Sequence, residues 1–303
     1  MSLTVTGSIN VDHVIRLPEF PRPGETLTGS DYRIVPGGKG ANQAVAAVRA
    51  GAQTRMVACV GDDAMAGALI DGFAKDGINT SAIDTIHDVN TGVALIQVNE
   101  SGENTIALAP GANAALTPEQ LQRHISALHC EQLLLQLEIP LQTNLAAARL
   151  AKEQGARIIL NPAPAQSLPD ELLALVDMIT PNETEAERLT GISAADDAGA
   201  DAAAKALHAR GIATVIITLG ARGVWLSEHG HGRLIPGFTV QAIDTTAAGD
   251  TFNGALVAAL QQHQALVPAI RFAQAAAAIS VTRIGAQTSI PYQAEIEAML
   301  EQS

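Results

Sequence analysis

From residue 116 onward, short apolar runs alternate with longer helical ones. Residues 132–137 read as a strand ending at Glu138, 141–154 as a helix, and 157–161 as a strand leading into N-P-A-P. A short strand over 178–180 ends in P-N-E-T-E-A-E. A helix over 200–210 and a strand over 214–219, ending in G-A-R-G, complete the series. Strands that alternate with crossover helices pair in parallel, and right-handed crossovers put helices on the sheet. The expected fold class is therefore α/β, a mostly parallel doubly wound sheet with helices on both faces. Hydrophobic residues make up 47% of the chain, ample for two buried faces. Aromatics are 3%, so that core is built of Ala, Leu, Ile and Val. At 303 residues the chain exceeds the usual size of a single core. One large α/β domain over 1–303 with an appendage, or two domains, meets that bound.

Two stretches break the alternation. A proline-rich turn over 18–23 precedes strand-like spacing over 25–35, and the runs 92–99 and 104–109 read as a hairpin across E-S-G-E. Neither has a crossover helix. Together, over about 13–36 and 91–109, they are expected to form a small β-sheet lid above the carboxyl edge of the main sheet. Another strand is expected over 55–60, and Gly61-Asp62-Asp63 then caps a helix through residue 74. The last third reads as helical, over 249–262, 268–284 and 292–302.

The stretch D-T-T-A-A-G-D-T-F-N-G, 244–254, follows an apolar, strand-like run and opens an alanine-rich helix. Ala247, Ala248 and Gly249 allow a sharp turn that presents N–H groups at a helix N-terminus, where the dipole favours anions. Asp250 sets one carboxylate beside them. An anion hole next to a lone carboxylate suits phosphoryl transfer to a hydroxyl; the same residues also make a plain helix cap. Upstream, P-G-G-K-G-A-N-Q, 36–43, enters a helix without Walker A spacing. Its glycines let the backbone approach a ligand, and Lys39 and Asn42 can bond a polar small molecule. The first strand, 3–7, runs into G-S-I-N-V-D. It lacks the G-x-G-x-x-G of a dinucleotide fold, which argues against a dehydrogenase. Polar groups stand at several strand ends: Asn10, Asp12, Glu138, Asn182, Glu185, Thr218 and Asp250. Asn182 and Glu185 fit a capping box, and equally a hydrated Mg²⁺ that needs few protein oxygens.

The formal charge of −13 disfavours nucleic-acid backbones and anionic membranes. No apolar run approaches the ~20 residues that span a bilayer, and residues 1–10 lack the basic start of a signal peptide. A cytoplasmic protein is expected. Cys59 and Cys130 sit in apolar settings and read as reduced core thiols. His229 and His231, among glycines, read as hairpin-turn chemistry rather than a metal site.

G-S-I-N-V-D with G-G-K-G-A-N-Q, then P-N-E-T-E, T-L-G-A-R-G and D-T-T-A-A-G-D-T-F-N-G, follow one another in this order. On these stretches the sequence resembles the ribokinase (PfkB) family of sugar kinases over nearly its full length. The resemblance implies ATP-dependent phosphorylation of O5 of D-ribose, giving D-ribose 5-phosphate and ADP. It implies Asp250 as the base and the N–H groups of Ala247, Ala248 and Gly249 as the anion hole. Ribose would be held by Asn10, Asp12, Gly38, Lys39, Gly40, Ala41, Asn42 and Glu138, with Asp250. ATP would be held by Asn182, Thr218, Leu219, Gly220, Ala221, Arg222, Gly223, Gly249 and Gln274, with Glu185 tied indirectly to Mg²⁺. The family is also activated by a monovalent cation, K⁺, which implies Asp244, Thr246, Ser280, Arg283, Gly285 and Ser289 here. Ser280 stands where relatives often carry alanine, and Gln274 where they carry His or Asn. The lid of such proteins often pairs two subunits, so a homodimer is implied. Two alternatives stand beside this reading. One is a 2-deoxyribokinase or another sugar kinase of the same family. The other is a non-catalytic sugar- or nucleotide-binding regulatory module, which loss of the acid in A-A-G-D would favour; Asp250 is present.

Overall fold

A computed structural model describes residues 2–302. Its strands are β1 (Leu3–Thr6), β2 (Asn10–Arg16), β3 (Asp31–Gly37), β4 (Thr54–Gly61), β5 (Asn79–Ile86), β6 (Gly92–Val98), β7 (Asn104–Ala109), β8 (Gln132–Leu135), β9 (Arg157–Leu160), β10 (Met178–Ile179), β11 (Thr214–Thr218), β12 (Gly223–Glu228) and β13 (His231–Pro236). The main sheet runs β13-β12-β11-β10-β9-β8-β1-β4-β5. It is parallel from β5 through β11, with β12 and β13 added antiparallel at one edge. His229 and Gly230, both at positive φ, make the β12–β13 turn as the sequence suggested. The expected α/β class is therefore the observed one.

The alternation of side chains along each strand sorts the core into two layers. On one face Val5, Met56, Ala58, Leu134, Ile159 and Ile216 pack with the helices Lys39–Arg49, Ala248–Gln261 and Leu266–Ser280. On the other Val57, Leu133, Leu135, Ile158, Leu160 and Ile217 pack with Leu141–Glu153 and Asp197–His208. Each fully buried Leu or Ile is worth about 1.5–3 kcal/mol. Cys59 and Cys130 are buried free thiols within the second layer. The helices Lys39–Arg49 and Ala248–Gln261 approach so closely that a Cβ on Gly254 would lie 2.4 Å from Ala46 Cβ and 2.5 Å from Gln43 O.

A second sheet, β3-β2-β6-β7, stands apart from the first. β2 leaves directly from the carboxyl end of β1, pairs antiparallel with β3 and parallel with β6, and β6 and β7 form the expected hairpin.

Several elements differ from expectation. β5 has no apolar signature, because only Ala82 of its eight residues is buried. The strand expected over 25–35 begins at Asp31: three prolines, Pro18, Pro21 and Pro23, crowd the stretch before it, and the ladder forms only opposite β2. The apolar run before Asp244 is not a strand. Regular pairing stops at Pro236, and the N–H groups of Ile243 and Asp244 both turn to Val281 O. The helix after Pro118 covers only Pro118–Gln122. The helix Ala66–Asp76 starts from Met65 without a side-chain cap; Asp63, two residues earlier, accepts from the N–H groups of Met65 and Ala66.

Candidate active site

Parallel strands deliver their carboxyl ends to one edge, and that edge collects the polar residues. Asn10 follows β1, Glu138 follows β8, Asn161 follows β9, Asn182 follows β10, and Thr218 ends β11. Asn182 and Thr218 are themselves joined by a parallel bridge. A cavity of ≈ 200 Å³ lies between Lys39, Asn161, Asn182, Glu185, Thr218, Ala247, Ala248, Gly249 and Asp250. A second, of ≈ 320 Å³, lies between Asn10, Asn113 and Glu138 on one side and Leu108 and Ala109 of β7 on the other.

Asp250 opens the helix Ala248–Gln261 and is buried. Its Oδ2 accepts from Asn42 Nδ2 at 3.0 Å and its Oδ1 from Gln43 Nε2 at 2.9 Å. Burial pushes its carboxyl up, with Lys39 and the two amide donors pulling back. Lys39 answers in kind: burial alone would lower its ammonium, but Asp250, Glu138, Glu185 and Asp12 hold it above its ordinary value. The turn before the helix puts Ala247 at φ 58, ψ 15, a strain of about 1–3 kcal/mol for a residue with a Cβ. Of the expected anion-hole donors, Ala248 N–H is spent on Thr245 O at 3.2 Å. The N–H groups of Gly249 and Asp250 meet no backbone carbonyl among the described residues. A Cβ on Gly249 would meet nothing within 4 Å, and its φ does not require glycine. The open space there belongs to the cavity, not to packing.

On the other cavity, Asn113 Nδ2 donates to Asn10 Oδ1 at 2.8 Å and to Ile9 O at 3.1 Å, and its Oδ1 accepts from Ile9 N–H at 2.8 Å. With its oxygen so engaged, Asn10 keeps its NH₂ for the cavity. Asp12 is buried with Oδ1 unpartnered; burial first, then Glu138 and Asp250, push its carboxyl up to about 7. Glu138 accepts from Ser8 Oγ at 2.6 Å and from Lys39 N–H at 3.0 Å, tying β8 to the glycine loop. Gly38, at φ 92, packs where a Cβ would touch Asn10 N at 2.8 Å. Gly40 and Ala41 lie against Ser8.

The remaining residues that the sequence singled out are placed as follows. Leu219 precedes the turn Gly220–Arg222, and Ala221 and Gly220 are exposed beside Thr218. Gly223 starts β12. Arg222 ion-pairs with Asp197 at 2.5 Å and faces Glu183 at 3.7 Å. Gln274 donates to Ile235 O at 3.0 Å and accepts from Arg271, whose guanidinium stacks over Phe238. Asn182 and Glu185 do form a reciprocal capping box. Both Glu185 oxygens rest on Asn182, at 2.9 and 3.1 Å. Glu185 still lines the first cavity, which fits a Mg²⁺ held through water and not by direct ligation. Asp244 draws two loops together, Oδ1 accepting from Thr246 N–H and Oδ2 from Gly285 N–H, both at 2.9 Å. Burial opposes these bonds, yet they leave its carboxyl below the ordinary range. Ser280 and Ser289 turn their hydroxyls to Ala277 O and Ala286 O, and Arg283 pairs with Glu295.

Three positions at the site escape the sequence reading. Asn161 is a strand-end polar residue of the same kind as the others, so the same rule would have found it. Gln43 sits one residue beyond Asn42 in the glycine loop. Asn113 carries no local signal, since it meets Asn10 across 103 residues.

The pfkB family carbohydrate kinase signature matches residues 1–293. The chain is 55% identical to the ribokinase of Haemophilus influenzae over 303 residues, covering 99% of this chain and 98% of that one. It is 37% identical to the deoxyribokinase of Salmonella typhimurium over 294 residues, 96% of each. The structure of Arabidopsis thaliana ribokinase complexed with ribose and ATP superposes with a TM-score of 0.93 at 30% identity, covering 99% of both chains.

Proposed function

This chain belongs to the pfkB family of carbohydrate kinases, and on that premise we propose that it transfers the γ-phosphoryl group of ATP to the O5 hydroxyl of D-ribose. The observation that carries this reading is Asp250, a buried carboxylate at a helix N-terminus that lines a cavity with Lys39 and Gly249 and is bonded by Asn42 of the glycine loop. Asp250 takes the O5 proton as O5 bonds to the γ-phosphorus and the bond to the β–γ bridging oxygen breaks. ADP leaves with that oxygen. The N–H groups of Gly249 and Asp250, at the positive end of the helix, and the Lys39 ammonium offset charge on the transferred group. Glu185 would hold a Mg²⁺ through water, and that ion would supply charge neutralisation on the phosphates. Asn10 and Asp12 bond the sugar hydroxyls, and Leu108 and Ala109 of the β6–β7 hairpin cover the sugar and exclude water. K⁺ held by the Asp244 and Gly285 loops would brace the turn that precedes Ala247. The small sheet acts as a lid and as the contact between two subunits.

The greater identity to a ribokinase than to a deoxyribokinase favours ribose over its 2-deoxy analogue. ADP release measured with ribose, 2-deoxyribose, fructose phosphates and adenosine, with and without K⁺, tests the reading. Asp250→Asn should retain sugar binding by calorimetry and lose at least about 10³-fold in kcat, the scale of a positioned general base. Near-normal turnover in that variant would remove Asp250 from the role, and absence of turnover by the parent on every sugar would favour a binding module.

A further inference from the structure

Asp250 receives one side-chain amide on each carboxylate oxygen, and neither amide is free to turn. Gln43 is completely buried, and Gln136 Nε2 donates to its Oε1 at 2.6 Å. The NH₂ of Gln43 points the other way, to Asp250 Oδ1 and to Asn161 Oδ1, both at 2.9 Å, and these two acceptors require a donor there. Asn161 is oriented in turn by donating to Thr180 O at 3.0 Å. The backbone carbonyl of Gln136 accepts from Asn144 Nδ2 at 2.9 Å, and its side-chain Oε1 is buried without a partner. On the other oxygen, Gln287 Nε2 donates to Asn42 Oδ1 at 3.1 Å, which likewise obliges Asn42 to present its NH₂ to Asp250. We propose that Gln43, oriented by Gln136, is a positioning residue for the kinase reaction, holding the Asp250 carboxylate in one rotamer and in its ionised form.

The inference rests on the functional reading above only for what the clamp serves. Its physical content is independent of substrate. A carboxylate buried this deeply loses hydration, and N–H donors replace that hydration only if they cannot present their oxygens instead. The charged groups facing Asp250 are Lys39, which favours the ionised form, and Glu138, Asp12 and Glu185, which oppose it. Burial opposes ionisation most, and the two amides join Lys39 in favouring it.

The test compares Gln43→Met, Gln43→Glu and Gln136→Met with the parent, by kcat against pH and by the ¹³C shift of the Asp250 carboxyl against pH without substrates. Losing one donor to an ionised carboxylate should lower kcat by about tenfold and move both its acid limb and the carbon titration up by about one pH unit. Gln43→Glu preserves the size of the side chain and sets a second carboxyl against Oδ1, so its shift should be larger in the same direction. Gln136→Met frees Gln43 to turn and should shift the curve less. Ribose KM should stay within about threefold throughout, since no sugar contact is removed. A parent with no sugar turnover would sink the functional reading while the carbon titration still decides the clamp. Variants that fold and titrate like the parent would overturn the proposal, even if their stability or overall activity had dropped.

Discussion

Asp12 is the residue whose chemistry is most exposed to pH. With one carboxylate oxygen buried and unpartnered and its carboxyl raised to about 7 from an ordinary 3.8, it keeps its proton in the folded protein long after the unfolded chain has lost it. Between those two values the folded state binds more protons than the unfolded one, so stability falls as pH rises through the window. At its steepest the loss approaches about 1.4 kcal/mol per pH unit. Sugar hydroxyls donating to Asp12 favour its ionised form, so ribose KM should rise as pH is lowered below 7. Asp12→Asn should show a high, flat KM and a shallower fall in melting temperature over the same range. A variant with the parent's pH profile would show that another group titrates. At this scale Asn10, Asp12, Glu138 and Asp250 were all legible in the sequence as polar strand or helix ends. Gln43 and Asn113 were not, because their value lies in partners 207 and 103 residues away.

At the scale of elements, the site depends on how closely two helices approach. Lys39–Arg49 brings Asn42 and Gln43, and Ala248–Gln261 brings Asp250. Gly254 sets the distance, since a Cβ there would overlap Ala46 Cβ and Gln43 O. Gly254→Ala should therefore destabilise by about 1–3 kcal/mol, the scale of overpacking, despite the better helix propensity of alanine. It should also lower kcat, because the displaced backbone is that of Gln43. Denaturant unfolding and turnover read the two effects. A variant as stable and as active as the parent would show that the helices separate freely. The element boundaries were legible where apolar periodicity was strong, as in β8, β9 and β11. They failed at β5, an edge strand with little to bury, and before Asp244, where an apolar run serves a loop pinned to Val281.

At the scale of the whole molecule, the β2-β3-β6-β7 sheet has two faces. Asp12, paired with Val35 and Ala94, looks toward the site. Ile34 and Leu95, paired with His13, occupy the opposite face with Tyr32, and all three are exposed. Contiguous exposed apolar residues on a thin sheet call for a cover, and a second copy of the same sheet is the cover proposed. Leu95→Asp should shift sedimentation from dimer to monomer and weaken ribose binding, because the lid then loses its support. A parent that sediments as a monomer at micromolar concentration would refute the pairing.

By itself the sequence determined the fold class, the position of the glycine loop and the identity of the acid at the helix start. Each rests on local patterning, namely periodicity, turn chemistry and the need to cap a helix. Tertiary structure alone decided which amides face Asp250, that Asn10 is held by Asn113, and that Arg222 and Gln274 bond to the protein around them. The physical reason is that a buried polar atom takes its partner from whatever the packing brings near, however distant along the chain.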